Sequence, residues 1–508
     1  MPAQTITSDR AAPATGSAGD HRRRWWILAV LGIAQLMVVL DASVVNIALP
    51  SAQKALHFSN GDRQWVVTSY ALAFGSLLLV GGRISDLFGR KRTFIGGAVG
   101  FAVASALGGA AQSFDVLVAA RALQGVFAAL LAPAALSLVT TTFTDPGERG
   151  KAFAVWGAIG GGSAAFGLLL GGLLTQSLSW RWTLLVNLGF AVPAALGAFA
   201  LLQSKSNTVK PRIDVPGTLT ATGGLFALVY GLSRAQTHGW GASTTVGFLA
   251  TGVLLLAVFV AIQARSEHPL LPLPIVLERN RGGSILALGV LGAGMFGVFL
   301  FLTYYLQQTL GYAPLKTGLA FLPMTAALVI MSAVTSTRVL PRTGPRPLFA
   351  AGMALAAVGL VLLAQLGVHA TYATQILPGL VLAGAGIGMV FPPATNIATL
   401  GVNAADAGAA SAMANTAPQV GGSIGTALLS TLAASATSSY LAGTDSGNLV
   451  ARAAVHGYTT AFWSSAGIFA AGAVITGLLV RGKLRDPVPG VQPNAQPLGG
   501  LQGGPVST

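Results

Sequence analysis

The stretch LMVVLDASVVNIALP, residues 36–50, places one aspartate, Asp41, inside an apolar run that begins at Trp25. A run of that length forms a helix able to cross a hydrocarbon core of roughly 30 Å. A carboxylate held at that depth is costly and needs a partner, a water path or a proton, which marks Asp41 as a functional residue. No other acid falls deep within an apolar stretch of this chain.

Outward from this segment the pattern repeats. Hydrophobic residues make up 53% of the 508 residues and charged residues only 8%, against about 25% charged in an ordinary soluble domain. Apolar stretches recur at 25–49, 64–82, 93–112, 115–140, 152–175, 183–202, 216–233, 245–264, 283–308, 317–336, 347–366, 374–399, 407–434 and 459–480. The expectation is an all-α polytopic membrane protein of about fourteen spans. The basic leader His21-Arg22-Arg23-Arg24 suits a secretory signal, but the run after it is too long, lacks a plain small-residue cleavage site and precedes many further spans.

Basic residues give an orientation. With an even number of spans, twenty-two of the twenty-nine Lys and Arg fall on the face that carries the termini, six on the other, and Arg121 within a span. That bias puts both termini in the cytoplasm. The net charge of +15 is then a product of topology, with attraction to anionic lipid as a secondary effect and no nucleic-acid partner required. The absence of cysteine excludes disulfides and thiolate metal sites. There is no HExxH, no histidine cluster and no GxxxxGK[ST] loop, so neither a membrane-embedded metalloenzyme nor an ATP-driven pump is expected.

An internal repeat organises the chain. GGRISDLFGRKR (81–92) is followed about 257 residues later by TSTRVLPRTGPRP (335–347), and ALQGVFAALLAPAALSLV (122–139) by GLVLAGAGIGMVFPPATNIA (379–398). The expected organisation is a cytoplasmic tail (1–24), a six-helix bundle (25–203), two extra helices with flanking loops (204–282), a second six-helix bundle (283–485) and a tail (486–508). Duplicated halves are a transporter signature, with substrate bound near the midplane between them.

These motifs resemble those of the major facilitator superfamily, specifically its fourteen-span drug:proton antiporters of the QacA and EmrB kind. The 81–92 segment is similar to the family's motif between spans 2 and 3. LDASVVNIALP (40–50) and RALQGVFAALLAP (121–133) are similar to two further motifs. WRWTLLVN (180–187), RIDVPGTLTATGG (212–224), HPLLPLPIVLERN (268–280) and YYLQQTLGYAPLKTG (304–318) fit the fourteen-span branch. The resemblance implies the major facilitator fold and export of lipophilic or amphipathic small molecules in exchange for protons. It further implies a bacterial inner membrane, no cofactor beyond the proton gradient, and a functional monomer. One departure stands in WGAIGGGSAAFGLLLGG (156–172), where Leu168 occupies the place of the family's proline. The nearest alternative on the same fold is proton symport or facilitated uptake of a nutrient; a non-transporting receptor or lipid-binding scaffold is a third reading.

Specific residues follow. Arg121 is the natural counter-charge for Asp41, either as part of proton coupling or as a static structural pair. Arg121, Gln124, Gly125 and Ala128 share one helical face, and the resemblance implies that Arg121 takes part in proton movement. Gly82, Asp86, Gly89 and Arg90 stand at the family's conformational latch. Gly125, Gly157, Gly161, Gly167 and Gly171 suit close helix packing. Candidate pocket residues are Gln35, Asn46, Gln124, Trp156, Tyr305, Gln307, Asn396, Asn415 and Gln419. A pocket with a single acid suits neutral or singly cationic lipophiles better than dications.

Overall fold

The computed structural model describes residues 18–59, 61–143, 145–203, 214–266, 269–271, 273–400, 402, 407–442 and 449–481. The described residues form helices and connecting turns, with no strand among them. The first bundle comprises α1 (Ala18–Leu56), α2 (Arg63–Phe88), α3 (Arg90–Gly109), α4 (Phe114–Thr142), α5 (Pro146–Ser177) and α6 (Trp182–Leu201). Two further helices, α7 (Val215–His238) and α8 (Ser243–Arg265), and the short α9 (Leu273–Leu277) follow. The second bundle holds α10 (Arg279–Tyr304), α11 (Pro314–Ala320), α12 (Leu322–Val334), α13 (Leu340–Thr343), α14 (Pro345–Leu363), α15 (Leu377–Thr399), α16 (Ala407–Ala442) and α17 (Leu449–Leu479). Single π turns at Tyr305–Thr309, Thr335–Val339 and Tyr372–Ile376 extend α10, join α12 to α13 and lead into α15. Each of the fourteen apolar stretches lies on these helices. Among the described residues eleven helices are long and apolar enough to cross a membrane.

Two boundaries differ from the sequence reading. The first helix starts at Ala18, within the expected tail. Apolarity begins only at Trp25, but polar contacts hold the preceding turn: Arg23 Nη2 donates to the Leu201 carbonyl at 2.9 Å, and Arg24 and His21 each lie 3.2 Å from Glu148. The 81–92 motif is mostly helix rather than loop, because α2 runs to Phe88 and a single residue, Gly89, joins it to α3. Gly89 has φ 89°, a left-handed conformation that glycine alone adopts freely. Gly344, with φ 73°, makes the equivalent junction into α14. The repeat in sequence is thus a repeat of one backbone turn.

Small residues set the spacing inside each bundle. A Cβ on Gly125 would lie 2.5 Å from the Tyr70 carbonyl, and one on Gly171 2.8 Å from the Val44 carbonyl. These glycines let α4 close on α2 and α5 close on α1, where lipid offers no hydrophobic drive and packing must supply the attraction. In the second bundle a Cβ on Gly359 would likewise lie 2.6 Å from the Ala383 amide nitrogen. Leu168 is fully buried, and α5 runs through it without a break.

The cores show how the halves sit together. Near the termini-bearing face, the first bundle has its own cluster, from Ile27, Leu31, Phe94, Phe101, Leu131 and Ala194. Toward the opposite face, Val44, Ala48, Leu168 and Leu184 belong to one continuous core with Phe301, Tyr304, Phe321 and Phe462 of the second bundle. Two hydrogen bonds join the bundles at that opposite end: Gln307 Nε2 donates to the Ile47 carbonyl at 2.9 Å, and the Leu315 amide to Gln176 Oε1 at 3.3 Å. The halves are sealed away from the termini.

The extra helices bridge this seam. Gln64 of α2 donates to Ser233 of α7 at 2.8 Å, and Thr431 of α16 donates to the Leu232 carbonyl, also at 2.8 Å. The RIDVPGT segment starts α7 for a local reason: Asp214 caps the Gly217 amide at 2.8 Å, with Pro216 in the first turn.

Candidate functional site

Asp41 stands midway along α1 with 0% of its surface exposed, and Arg121 on α4 with 1%. Arg121 Nη1 donates to Asp41 Oδ2 at 2.5 Å. Gln124 Nε2 and Asn187 Nδ2 donate to Asp41 Oδ1 at 3.1 and 2.7 Å. All three bonds reach the carboxylate from donors, the arrangement that suits its ionised form. Arg121 is itself held from three further sides. Its Nε donates to the Val66 carbonyl at 3.0 Å, its Nη1 to Gln124 Oε1 at 2.8 Å, and its guanidinium lies 4.4 Å from the Tyr70 ring centroid. Gln124 is fixed in turn by donating to Ser105 Oγ at 2.7 Å.

Five helices of one bundle therefore converge on one charge pair. Their sequence explains how. The α4 face that carries Arg121 and Gln124 also carries Gly125, so the two polar side chains sit where α4 comes closest to α2. On the other side of Asp41, the α5 backbone at Gly167 approaches Ser43 and the Leu40 carbonyl. A side chain at Gly167 would displace α1 just where Asp41 needs its geometry. Two ions taken from water to this depth are stable only with such full pairing. One helical turn beyond the pair, toward the sealed face, Val45, Leu117, Thr183 and Leu184 help line a small apolar crevice.

Other expected residues fall in separate settings. Asn46 donates to its own helix at the Ala42 carbonyl, and its Oδ1 is buried without a partner. Tyr305 is buried in the second bundle and donates to the Gly367 carbonyl at 2.6 Å. Gln307 ties the two bundles together. Gln124 belongs to the Asp41 cage. Asn396 and Asn415 are exposed, Gln419 is half-buried where Gly75 of α2 comes against it, and Gln35 and Trp156 are half-buried in the first bundle. Gly82 and Arg90 flank the α2–α3 junction, with Arg90 Nε buried and unpartnered. The side chain of Asp86 and the surroundings of Gly157 and Gly161 lie outside the described residues, as do the tails 1–17 and 482–508.

Three residues were not anticipated. Asn187 and Ser105 complete the Asp41 cage; Asn187 closes the WRWTLLVN motif, so its position was visible but its target was not. Arg63 reads as a loop residue, yet it opens α2 with 6% exposure. Its guanidinium stands 4.2 Å from the Tyr304 ring centroid, 5.5 Å from Phe301 and 5.7 Å from Tyr458. It is a cation from the first bundle buried among aromatics of the second, at the sealed end.

Two helical bundles related by an internal repeat, with a buried charge pair in one of them, define a polytopic membrane transporter fold. The chain belongs to the Major Facilitator Superfamily, whose family profile matches residues 31–426. It is 50% identical over 477 residues to the puromycin resistance protein pur8 of Streptomyces alboniger, covering 92% of this chain and 94% of that protein. It is 38% identical over 436 residues to the cephamycin export protein CmcT of Amycolatopsis lactamdurans, covering 85% and 90%. In fold it is similar to an auto-inhibited POT family peptide transporter, with a TM-score of 0.65, 16% identity, and 90% and 96% of the two chains covered.

Proposed function

We propose that this chain exports amphipathic, antibiotic-like small molecules across a bacterial inner membrane in exchange for protons, acting as a monomer with both termini in the cytoplasm. The observation that carries the reading is the caged Asp41–Arg121 pair, an ion pair buried in the first bundle of a fold whose relatives confer resistance to, or export, antibiotics. In the arrangement described above the bundles are joined at the face opposite the termini and Asp41 is surrounded by donors. That suits the stage at which a transporter with ionised Asp41 receives substrate from the cytoplasm.

Closure of the terminal face would then carry substrate outward, and a proton taken up by Asp41 from outside would favour its release. Such exchange requires proton and substrate to differ in affinity between the two states, since equal affinity shifts nothing. Asp41 is occluded and has both oxygens engaged, so substrate need not touch it; the two ligands communicate through the packing of α1 against α5. Asp86, with Gly82, Gly89 and Arg90, would latch the closed terminal face. A carboxylate at a helix N-terminus contributes about 0.3–1 kcal/mol, a size suited to biasing a bistable equilibrium.

The test is puromycin-induced proton flux in proteoliposomes carrying the native chain or Asp41→Asn, matched for folded protein. Native vesicles should release protons on puromycin addition and the variant should not. Undiminished release from Asp41→Asn would overturn the reading, and puromycin accumulation along an inward proton gradient would replace export by symport.

A further inference from the structure

The Asp41 cage has one loose end. Asn187 is fully buried on α6, and while its Nδ2 donates to Asp41, its own Oδ1 has no donor. A buried carbonyl oxygen left without a partner carries a desolvation penalty, so an apolar side chain would be the cheaper occupant if packing alone were at stake. The rest of the buried α6 stripe is Thr183, whose hydroxyl is satisfied by the Trp180 carbonyl, and the small or apolar Leu184, Ala191, Ala194 and Ala198.

The difficulty that this oxygen can solve arises when Asp41 takes a proton. A carboxylic acid adds an O–H that must find an acceptor, and each of the three side chains hydrogen-bonded to Asp41 presents a donor. Arg121 can never accept. Gln124 is locked, because its Nε2 also donates to Ser105 while its Oε1 accepts from Arg121; turning it would break both bonds. The Tyr70 hydroxyl is occupied in donating to the Val38 carbonyl at 3.3 Å, and its ring faces Arg121. From α5 the backbone at Gly167 approaches Ser43 and the Leu40 carbonyl on this part of α1. Arg121 and Tyr70 are thus the charged and titratable groups around Asp41 among the described residues. Arg121 has no acceptor to offer, and the Tyr70 hydroxyl is directed to the Val38 carbonyl rather than to Asp41.

Asn187 alone is free to turn. Its amide oxygen is held by nothing, and the terminal torsion of asparagine is broad and roughly two-fold. We propose that Asn187 is the positioning residue that lets Asp41 hold a proton inside the bundle: its amide donates to the carboxylate and, turned half a revolution, accepts from the carboxylic acid. No covalent bond other than the Asp41 O–H forms or breaks; the Asn187 amide exchanges the hydrogen bond it donates for one it accepts, and the proton is the one that Asp41 exchanges. The inference rests on the reading of Asp41 as the proton carrier and adds a device by which one side chain serves both of its states.

The experiment is pH-difference infrared spectroscopy on the full-length reconstituted protein, comparing native, Asp41→Asn, Asn187→Leu and Asn187→Ser. At acid pH the native protein should show a protonated-carboxyl C=O band that vanishes in Asp41→Asn. In Asn187→Leu the band should move to the higher frequency of an acid without an acceptor, with puromycin-driven proton flux falling about tenfold and its pH profile displaced. Asn187→Ser, whose hydroxyl both donates and accepts, should keep the band near its native position. Should Asn187→Leu fail to fold, Asn187→Ala removes the same two groups without filling the space. An Asp41 band unmoved in the Leu or Ala variant would overturn the inference while leaving proton coupling intact. Absence of any Asp41-dependent band in the native protein would overturn the coupling reading itself.

Discussion

Replacing Asp41 and Arg121 by leucine, singly and together, measures what the buried pair does for the fold. Removing one partner of a buried pair typically costs about 3–5 kcal/mol, because the other charge is left in low dielectric. The two single variants should differ in a predictable direction. After Asp41→Leu the guanidinium keeps the Val66 carbonyl, Gln124 Oε1 and the Tyr70 ring, which places the loss near the lower end of that range. After Arg121→Leu the carboxylate keeps only two neutral amide donors, Gln124 and Asn187, and no counter-charge, which places it near the upper end. Independent effects would add to roughly 6–10 kcal/mol. In the double variant no charge remains, and the loss reduces to neutral amide groups, chiefly Asn187 Nδ2 without an acceptor and Gln124 Oε1 without a donor while Gln124 Nε2 keeps Ser105, at about 1–3 kcal/mol each, offset by apolar packing. The double variant should therefore be no less stable than Arg121→Leu alone, giving a coupling of about 3 kcal/mol or more. Equilibrium unfolding of the purified protein in mixed micelles of rising denaturing detergent reads all four corners of the cycle. Additive losses would refute the view that the pair is one interacting unit.

Three further outcomes follow from the packing. Arg63→Gln should weaken the sealed face, since a desolvated cation over aromatic rings contributes about 2 kcal/mol, equivalent to a shift of roughly 30-fold in the open-to-closed ratio. Because the chain has no cysteine, labelling of an introduced Ile47→Cys by an impermeant maleimide reads that shift, and unchanged labelling would count against it. Oxidising a Gln176→Cys/Leu315→Cys pair, placed where the two bundles share a hydrogen bond, should halt transport until a reductant is added; continued transport in the cross-linked protein would mean that this contact does not open. Gly171→Leu should abolish proton-coupled transport, because even a Cβ there lies 2.8 Å from the Val44 carbonyl and forces α5 off α1 beside Asp41. Native flux in that variant would show that the α1–α5 spacing is irrelevant to the site.

Much of this protein was readable from its residues alone. Apolar stretches long enough to span a bilayer, few charges and a duplicated motif order lead to paired helical bundles, because in hydrocarbon every backbone group must be satisfied within its own segment. Asp41 and Arg121 stood out for the same reason, as the two charges placed at depth, and their pairing followed from the cost of leaving either alone. What required the tertiary structure was everything set by helix rotation and approach. Asn187 and Ser105 look like ordinary polar residues in sequence, and only the convergence of α3, α4 and α6 on α1 turns them toward Asp41. Arg63 reads as a loop residue until α2 and α10 bring it among Phe301, Tyr304 and Tyr458. The candidate pocket residues were chosen by depth, and depth does not say which way a side chain faces; Tyr305 faces its own bundle, Gln307 the other, and Asn396 an exposed surface. Hydropathy is local and summed along the chain, so it sets how many helices there are and how deep each residue lies. Partnership is decided by which helix faces meet, and that information is distributed over the small residues that set each helix spacing.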